Sequence, residues 1–537
     1  MVLSLKKVLI SDDIDPKCIE ILQNNGIEVV KKTNLTKEQL ISEIPIYDGL
    51  IVRSATKVTA DVINAAANLK IIGRAGTGVD NIDCVAATRN GIIVMNTPGG
   101  NTLSAAEHTC TLIVSLSRQL GLAAQSMKAG KWDRKQFMGN ELYGKTLAII
   151  GLGRIGKEVA IRMQSFGMKT IGFDPIIGGD VSATFNTEWL TLDEIWKQAD
   201  YITVHTPLIP QTKHLINDAV FAACKKGVRV VNCARGGIID EAALLRALES
   251  GQCRGAGLDV FTEEPPTDYT LVKHPLVIAT PHLGASTVEA QSRVAEEIAQ
   301  QFVDVTQGRS LFGAINASAL AKTLSPNIQP WVKLAQTLGS LTAVLAGKGS
   351  NSERKIQITS TGSILKDGKS YLSAAVLAGF MRKCADLAYT SSTLNLVNAP
   401  LLAQEAKIQV DVTHKDDLSV SCVDAVVVDM ETSQGGLHLC GTVTGLVPVL
   451  VQVQETTFSV PPILQGPLLI FKARNNVSEV VPLVCAGLSE AGAVLTSLSI
   501  STTKNSSVWG VVNLTSPVAN GLESVKKHVI SVDQIVL

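Results

Sequence analysis

The chain has 537 residues, 46% of them apolar, enough to bury several cores rather than one. Lys and Arg number 48, as do Asp and Glu, so no global field draws the chain to nucleic acid or to an anionic membrane. No apolar run approaches the ~20 residues of a membrane span. The start MVLSLKKVLISDDID lacks a signal-peptide pattern, and the ten cysteines include no CxxC pair or metal-ligand spacing. These features predict a cytoplasmic chain with reduced cysteines, no metal, and neither a nucleic-acid nor a membrane partner.

Residues 4–100 alternate short apolar strands (7–10, 27–30, 49–53, 70–74 and 92–96) with helical segments such as PKCIEILQNNG, TKEQLISEI, TADVINAAAN and DCVAATRNG. That alternation predicts a doubly wound parallel sheet. Residues 101–120 read as one long, mostly apolar helix. A second α/β series spans about 145–284, and residues 289–308 read as a helix that carries the chain back to the first sheet. Residues 316–455 mix helix with β-branched runs such as AVVVDM and VPVLVQV. Residues 460–537 read β-α-β-β-α-β.

The expected architecture is therefore α/β: two doubly wound, Rossmann- or flavodoxin-like domains with a cleft between them, then two α+β domains. The expected division is 1–100 plus 286–315, 101–285, 316–455 and 456–537. A cleft between two α/β domains suits a cofactor and a small substrate.

Residues 147–174 read LAIIGLGRIGKEVAIRMQSFGMKTIGFD. A strand runs into Gly151-x-Gly153-x-x-Gly156, an amphipathic helix follows, and a second strand ends at Asp174. Gly151 permits the tight turn, Gly153 lets backbone approach a pyrophosphate, and Gly156 lets helix pack on strand. The helix N-terminus offers free N–H groups to phosphates. Asp174 stands where a carboxylate accepts from ribose hydroxyls, which favours NAD over NADP because a 2′-phosphate would meet a like charge.

Three later segments each follow an apolar strand: VVNCARGGIIDEAALLRAL with Arg235, GAGLDVFTEEPP with Asp259 and Glu264, and IATPHLGAST with His282. Arg235 supplies a planar fork for a carboxylate and positive potential beside a developing alkoxide. His282 can take a hydroxyl proton as hydride leaves the same carbon. Glu264 can orient that imidazole and favour its protonated form. Taken singly, each has an ordinary alternative as a surface charge, a turn residue or a structural hydrogen bonder. Their joint placement at strand ends beside the glycine motif points to a site.

Over residues 4–315 these motifs resemble the D-isomer-specific 2-hydroxyacid dehydrogenase family. The resemblance implies Arg235, Glu264 and His282 as the catalytic trio. It further implies NAD contacts at Thr77, Arg154, Ile155, Asp174, Thr206, Cys233, Ala234, Arg235, Asp259, His282, Leu283, Gly284 and Ala285, beside the three glycines.

For the substrate, Arg53 ends a strand in LIVRSATKV, Arg74 opens GRAGTGVDNID, and Arg134 lies in GKWDRKQF. Three arginines suit a dianionic phosphate better than an aliphatic side chain. Backbone N–H groups around Gly76, Gly78 and Val79 can take a carboxylate. Arg134 would reach the site from a neighbouring subunit, since the 120–140 arm resembles the family's dimer contact. The GRAGTGVDNID form and the two extra C-terminal regions resemble the long, phosphoglycerate-oxidising branch of the family. That implies oxidation of 3-phospho-D-glycerate to 3-phosphohydroxypyruvate, the entry to serine synthesis, in a homotetramer with an intervening allosteric-type domain and a terminal ACT-type domain. One departure stands out: the loop after the first strand of the terminal region reads KARNNVSEVV, without the His-x-x-x-Pro-Gly pattern, which predicts weak serine feedback. The alternatives are a glyoxylate or hydroxypyruvate reductase, an NAD(H)-sensing co-repressor on the same fold, and a purely structural oligomer.

Overall fold

The computed structural model describes residues 3–347, 354–384, 387, 394–416, 422–432, 435–474, 477–503, 507–519 and 522–537. Five parallel strands, Lys7–Ile10, Glu28–Lys31, Gly49–Val52, Ile71–Arg74 and Ile93–Asn96, make the first sheet in the order second, first, third, fourth, fifth. Val8, Leu9 and Ile10 are all buried, as a parallel sheet covered on both faces requires. The helix Val288–Thr306 lies on one of those faces. A Cβ on Gly49 would come within 2.9 Å of the Phe302 ring, and one on Gly73 within 2.4 Å. Two strand glycines therefore admit this returning helix at close range.

Seven parallel strands, Thr146–Ile150, Lys169–Phe173, Glu188–Trp189, Tyr201–Val204, Val228–Asn232, Cys253–Leu258 and Val277–Ala279, make the second sheet. Their order is seventh, sixth, fifth, fourth, first, second, third. The winding direction reverses between Thr146–Ile150 and Tyr201–Val204, which lie side by side. A crevice opens at such a reversal, at the carboxyl ends of the strands.

The helix expected over 101–120 is present as Thr102–Arg118, and a second helix follows it. Thr102–Arg118 ends because Gln119 adopts a left-handed conformation (φ 51), and Leu120–Lys128 begins directly after it. Leu112 and Leu116 of the first helix pack on Gly255 and Gly257, whose added Cβ atoms would lie 3.3 Å and 3.1 Å from them.

The C-terminal part holds two further sheets. One has six strands, Arg354–Thr361, Ile408–His414, Ala425–Thr432, Gly435–Thr444, Val447–Val453 and Thr456–Thr457. Only its first two strands pair in parallel. Its helices Gln329–Ala346 and Lys369–Lys383 meet at Gly339 and Gly379, where an added Cβ would lie 2.1 Å and 1.9 Å from carbonyl oxygens of the facing helix. The other sheet is antiparallel, formed by Pro467–Arg474, Leu495–Ile500, Ser507–Leu514 and Ser531–Val536, with helices Val477–Glu490 and Glu523–Lys526 between strands. This is the expected β-α-β-β-α-β order. Residues 475–476 of the KARNNVSEVV loop lie outside the described residues. Among the described residues no helix is long and apolar enough to cross a membrane.

Candidate active site

Strand ends of the first two sheets face one another. From the first sheet come Arg74, Thr77, Gly78, Val79, Asp80 and Asn96. From the second come His205 to Leu208, Cys233 to Arg235, and His282, Gly284 and Ala285. Together they enclose a cavity of about 450 Å³. A second cavity of about 260 Å³ shares Arg74, Asn101, His282 and Ala285 with it and adds Arg53, Gly76 and Glu264. His282 and Arg74 thus stand in the wall between two chambers.

The glycine motif reaches the larger chamber through Ile155. Gly151 has φ 96, and a Cβ there would lie 2.6 Å from the His205 carbonyl oxygen. A Cβ on Gly156 would lie 2.1 Å from the Gly151 carbonyl oxygen, whereas one on Gly153 meets nothing within 4 Å. Two of the glycines are thus required by packing, and the third leaves backbone bare at the N-terminus of the helix Arg154–Gln164. Asp174 is held at its strand end by N–H groups of Leu152 (2.9 Å), Ile176 (2.8 Å) and Ile177 (3.0 Å).

Ile155 and Thr206 line the larger chamber, and Thr206 Oγ1 is buried with no hydrogen-bond partner among the described residues. Thr77 Oγ1 donates to Asn101 Oδ1 at 2.6 Å. Bare backbone, a fixed terminal carboxylate and an unpartnered buried hydroxyl fit a dinucleotide. Arg154 reaches the Pro98 carbonyl oxygen (3.1 Å), and Leu283 lines neither chamber. Cys233 lines the larger chamber, but burial pushes its thiol up to about 12, so it is not a nucleophile at neutral pH.

His282 Nδ1 and Glu264 Oε2 are 2.7 Å apart, and Glu264 Oε1 accepts the Phe261 N–H at 3.0 Å. Burial acts to raise Glu264, but the His282 hydrogen bond, the Phe261 N–H and the charges of His282 and Arg235 outweigh it and hold the carboxyl below the usual range. The same Glu264 hydrogen bond, acting against burial, holds His282 above its ordinary value.

His282 itself is left-handed (φ 54), a conformation that costs roughly 1–3 kcal/mol outside glycine. Asp259 imposes it. The Asp259 carbonyl accepts the His282 N–H (2.9 Å), and its carboxylate accepts the N–H groups of Leu283 (2.7 Å) and Gly284 (2.8 Å) and the Thr280 hydroxyl (2.7 Å). Expected as a cofactor contact, Asp259 is instead fully buried beneath the loop and lines neither chamber. Burial opposes its ionisation. Hydrogen bonds from His108, Thr280, Leu283 and Gly284 nonetheless keep it below the usual carboxylate range.

Arg235 donates from Nε to Asp80 Oδ2 (2.9 Å) and from one terminal amine to the Ala234 carbonyl (2.6 Å). Its other amine fills the space a Gly78 Cβ would need, at 1.8 Å, and the Arg74 guanidinium likewise fills that of Gly76, at 1.7 Å. Burial, joined by the charges of Arg235 and Arg53, lowers Arg74 to about 10. Arg53 lines the smaller chamber and donates to the Asp13 carbonyl at 3.0 Å, while its backbone N–H is held by Asp12 (2.5 Å). Arg134 is exposed on the arm after Leu120–Lys128 and lines neither chamber. A single chain therefore does not bring it to the site.

Sequence reasoning missed Asp12, Asp80, Asn101, His108 and His205. Asp80 alone carried a signal, as the acid inside GRAGTGVDNID. His205 is pushed down to about 4 by burial and stays neutral. The others are partners that only the fold brings together.

Residues 110–284 match the D-isomer specific 2-hydroxyacid dehydrogenase NAD binding domain, and residues 327–454 match the D-3-phosphoglycerate dehydrogenase intervening domain. The chain is 53% identical to D-3-phosphoglycerate dehydrogenase of Homo sapiens and 52% identical to that of Rattus norvegicus, in each case over 98% of both chains. Its structure resembles that of D-lactate dehydrogenase from Aquifex aeolicus complexed with NAD and lactic acid (TM-score 0.52, 28% identity), covering 58% of this chain and 99% of that one. On identity that runs through the catalytic and the C-terminal regions alike, the chain belongs to the D-3-phosphoglycerate dehydrogenase family of D-isomer specific 2-hydroxyacid dehydrogenases.

Proposed function

We propose that the two-chambered cleft oxidises 3-phospho-D-glycerate to 3-phosphohydroxypyruvate with NAD, the first step of phosphorylated serine synthesis. NAD, when bound, supplies the hydride acceptor. His282 takes the hydroxyl proton through the ring nitrogen opposite its Glu264 bond, and Glu264 stabilises the imidazolium that results. Arg235, with the backbone N–H groups of Gly78 and Val79, holds the substrate carboxylate. Arg53 and Arg74 face the smaller chamber and take the phosphate, and Arg134 of a neighbouring subunit completes that charge in a homotetramer. The division into a discontinuous substrate domain, an NAD domain, an intervening domain and a terminal ACT-like domain, and a cytoplasmic setting, belong to the same reading.

The observation that carries it is the His282–Glu264 pair at 2.7 Å, with His282 in the wall shared by a larger chamber that Arg235 lines and a smaller one that Arg53 and Arg74 line. Replacing Arg53 by Ala tests it. The ratio of kcat/KM for 3-phospho-D-glycerate to that for D-glycerate is expected to fall about tenfold or more, the scale of a lost charge-assisted contact. An unchanged ratio would remove Arg53 from the phosphate site.

A further inference from the structure

The ion pair between Asp80 and Arg235 joins two elements that the chain separates by 155 residues. Asp80 follows the strand Ile71–Arg74 of the first sheet, and Arg235 follows Val228–Asn232 of the second. The contact therefore spans the cleft. We propose that Asp80 is a positioning residue for the reaction, fixing the Arg235 guanidinium across the cleft so that the substrate carboxylate meets a preset fork. The inference rests on Arg235 as the carboxylate-holding residue.

Two anchors define the guanidinium plane: Asp80 Oδ2 at Nε (2.9 Å) and the Ala234 carbonyl at one terminal amine (2.6 Å). The remaining amine runs under Gly78, where a Cβ would lie 1.8 Å away, and Arg235 and His282 line the same larger chamber. Fold stability does not explain the pair. The Asp80 side chain is 72% exposed and that of Arg235 30%, and such pairs contribute little to folding.

Asp80 exerts two opposed effects on an incoming anion. Its charge offsets part of the field of Arg235, but in an open cleft that attenuation is screened. Its hydrogen bond removes freedom from a long side chain that substrate would otherwise have to order itself. The balance favours positioning. The crowding of Arg53, Arg74 and Arg235 points the same way: the Asp80 charge opposes their mutual repulsion at Arg74.

The test compares Asp80→Ala, Asp80→Asn and Arg235→Ala in the full-length enzyme, measuring kcat, KM for 3-phospho-D-glycerate, KM for NAD and the thermal midpoint. An asparagine keeps an acceptor for Nε without the charge. Positioning predicts that Asp80→Ala raises KM for the acid about tenfold, with KM for NAD and the thermal midpoint unchanged, and that Asp80→Asn restores most of the loss. Acid KM values at or below wild type in both Asp80 variants, with Arg235→Ala impaired, would overturn the inference alone. An unchanged acid KM in Arg235→Ala would overturn it together with the reading of Arg235.

Discussion

His282 is a reactive side chain on a backbone that disfavours it, and Asp259 supplies the hydrogen bonds that keep it there. Replacing His282 by Ala should lower turnover by ~100-fold or more, the scale of a lost general base, while NAD affinity measured by titration stays as it was. The pH dependence comes from the direction of the shift. Glu264 raises His282, and only the neutral imidazole accepts a proton. Turnover should therefore fall as pH drops through a midpoint above the ordinary histidine value. In Glu264→Gln that midpoint should move to lower pH, read from the kcat/KM profile; an unmoved limb would assign the titration to another group. At the other end of the cleft, Asp174→Ala should relax the preference for NAD over NADP, measured as the ratio of kcat/KM values. That Arg235, Glu264 and His282 would meet at one cleft was legible because each sits inside a strand-end motif. The contacts of Asp80 and Asp259 were not legible, because a partner across 155 residues, or a carboxylate turned beneath its own loop, leaves no local periodicity.

At the scale of elements, the glycine motif separates packing from binding. Gly156 faces the Gly151 carbonyl, so Gly156→Ala must push helix from strand and should cost about 1–3 kcal/mol of stability as well as NAD affinity. Gly153 meets nothing within 4 Å. Gly153→Ala should therefore keep the thermal midpoint and lose NAD binding, a contrast that calorimetric melting and cofactor titration resolve. The strands of the first sheet were legible to within a residue because a parallel sheet buried on both faces favours continuous apolar runs. The helix Leu120–Lys128 was not, because the left-handed residue that separates it from Thr102–Arg118 is Gln119 and not a glycine.

At the scale of the molecule, the first sheet is tied to distant parts of the chain. The helix Val288–Thr306 packs on its glycines. Arg89 pairs with Glu405 (2.5 Å), and Asn395 donates to the Gly91 carbonyl (3.0 Å), joining the six-stranded region to the same domain. The alternation of elements foretold the sheets and the returning helix, but these contacts arise only from assembly. The terminal sheet lacks the His-x-x-x-Pro-Gly loop in its sequence, and initial rates should show no dose-dependent inhibition by serine at physiological concentrations. The central claim is that an arginine-lined chamber selects a phosphorylated acid. Its most direct test is the initial rate of NADH formation from NAD with 3-phospho-D-glycerate, set against D-glycerate and D-lactate. The account predicts a strong preference for the phosphorylated acid, and equal or faster rates with the unphosphorylated acids would contradict it.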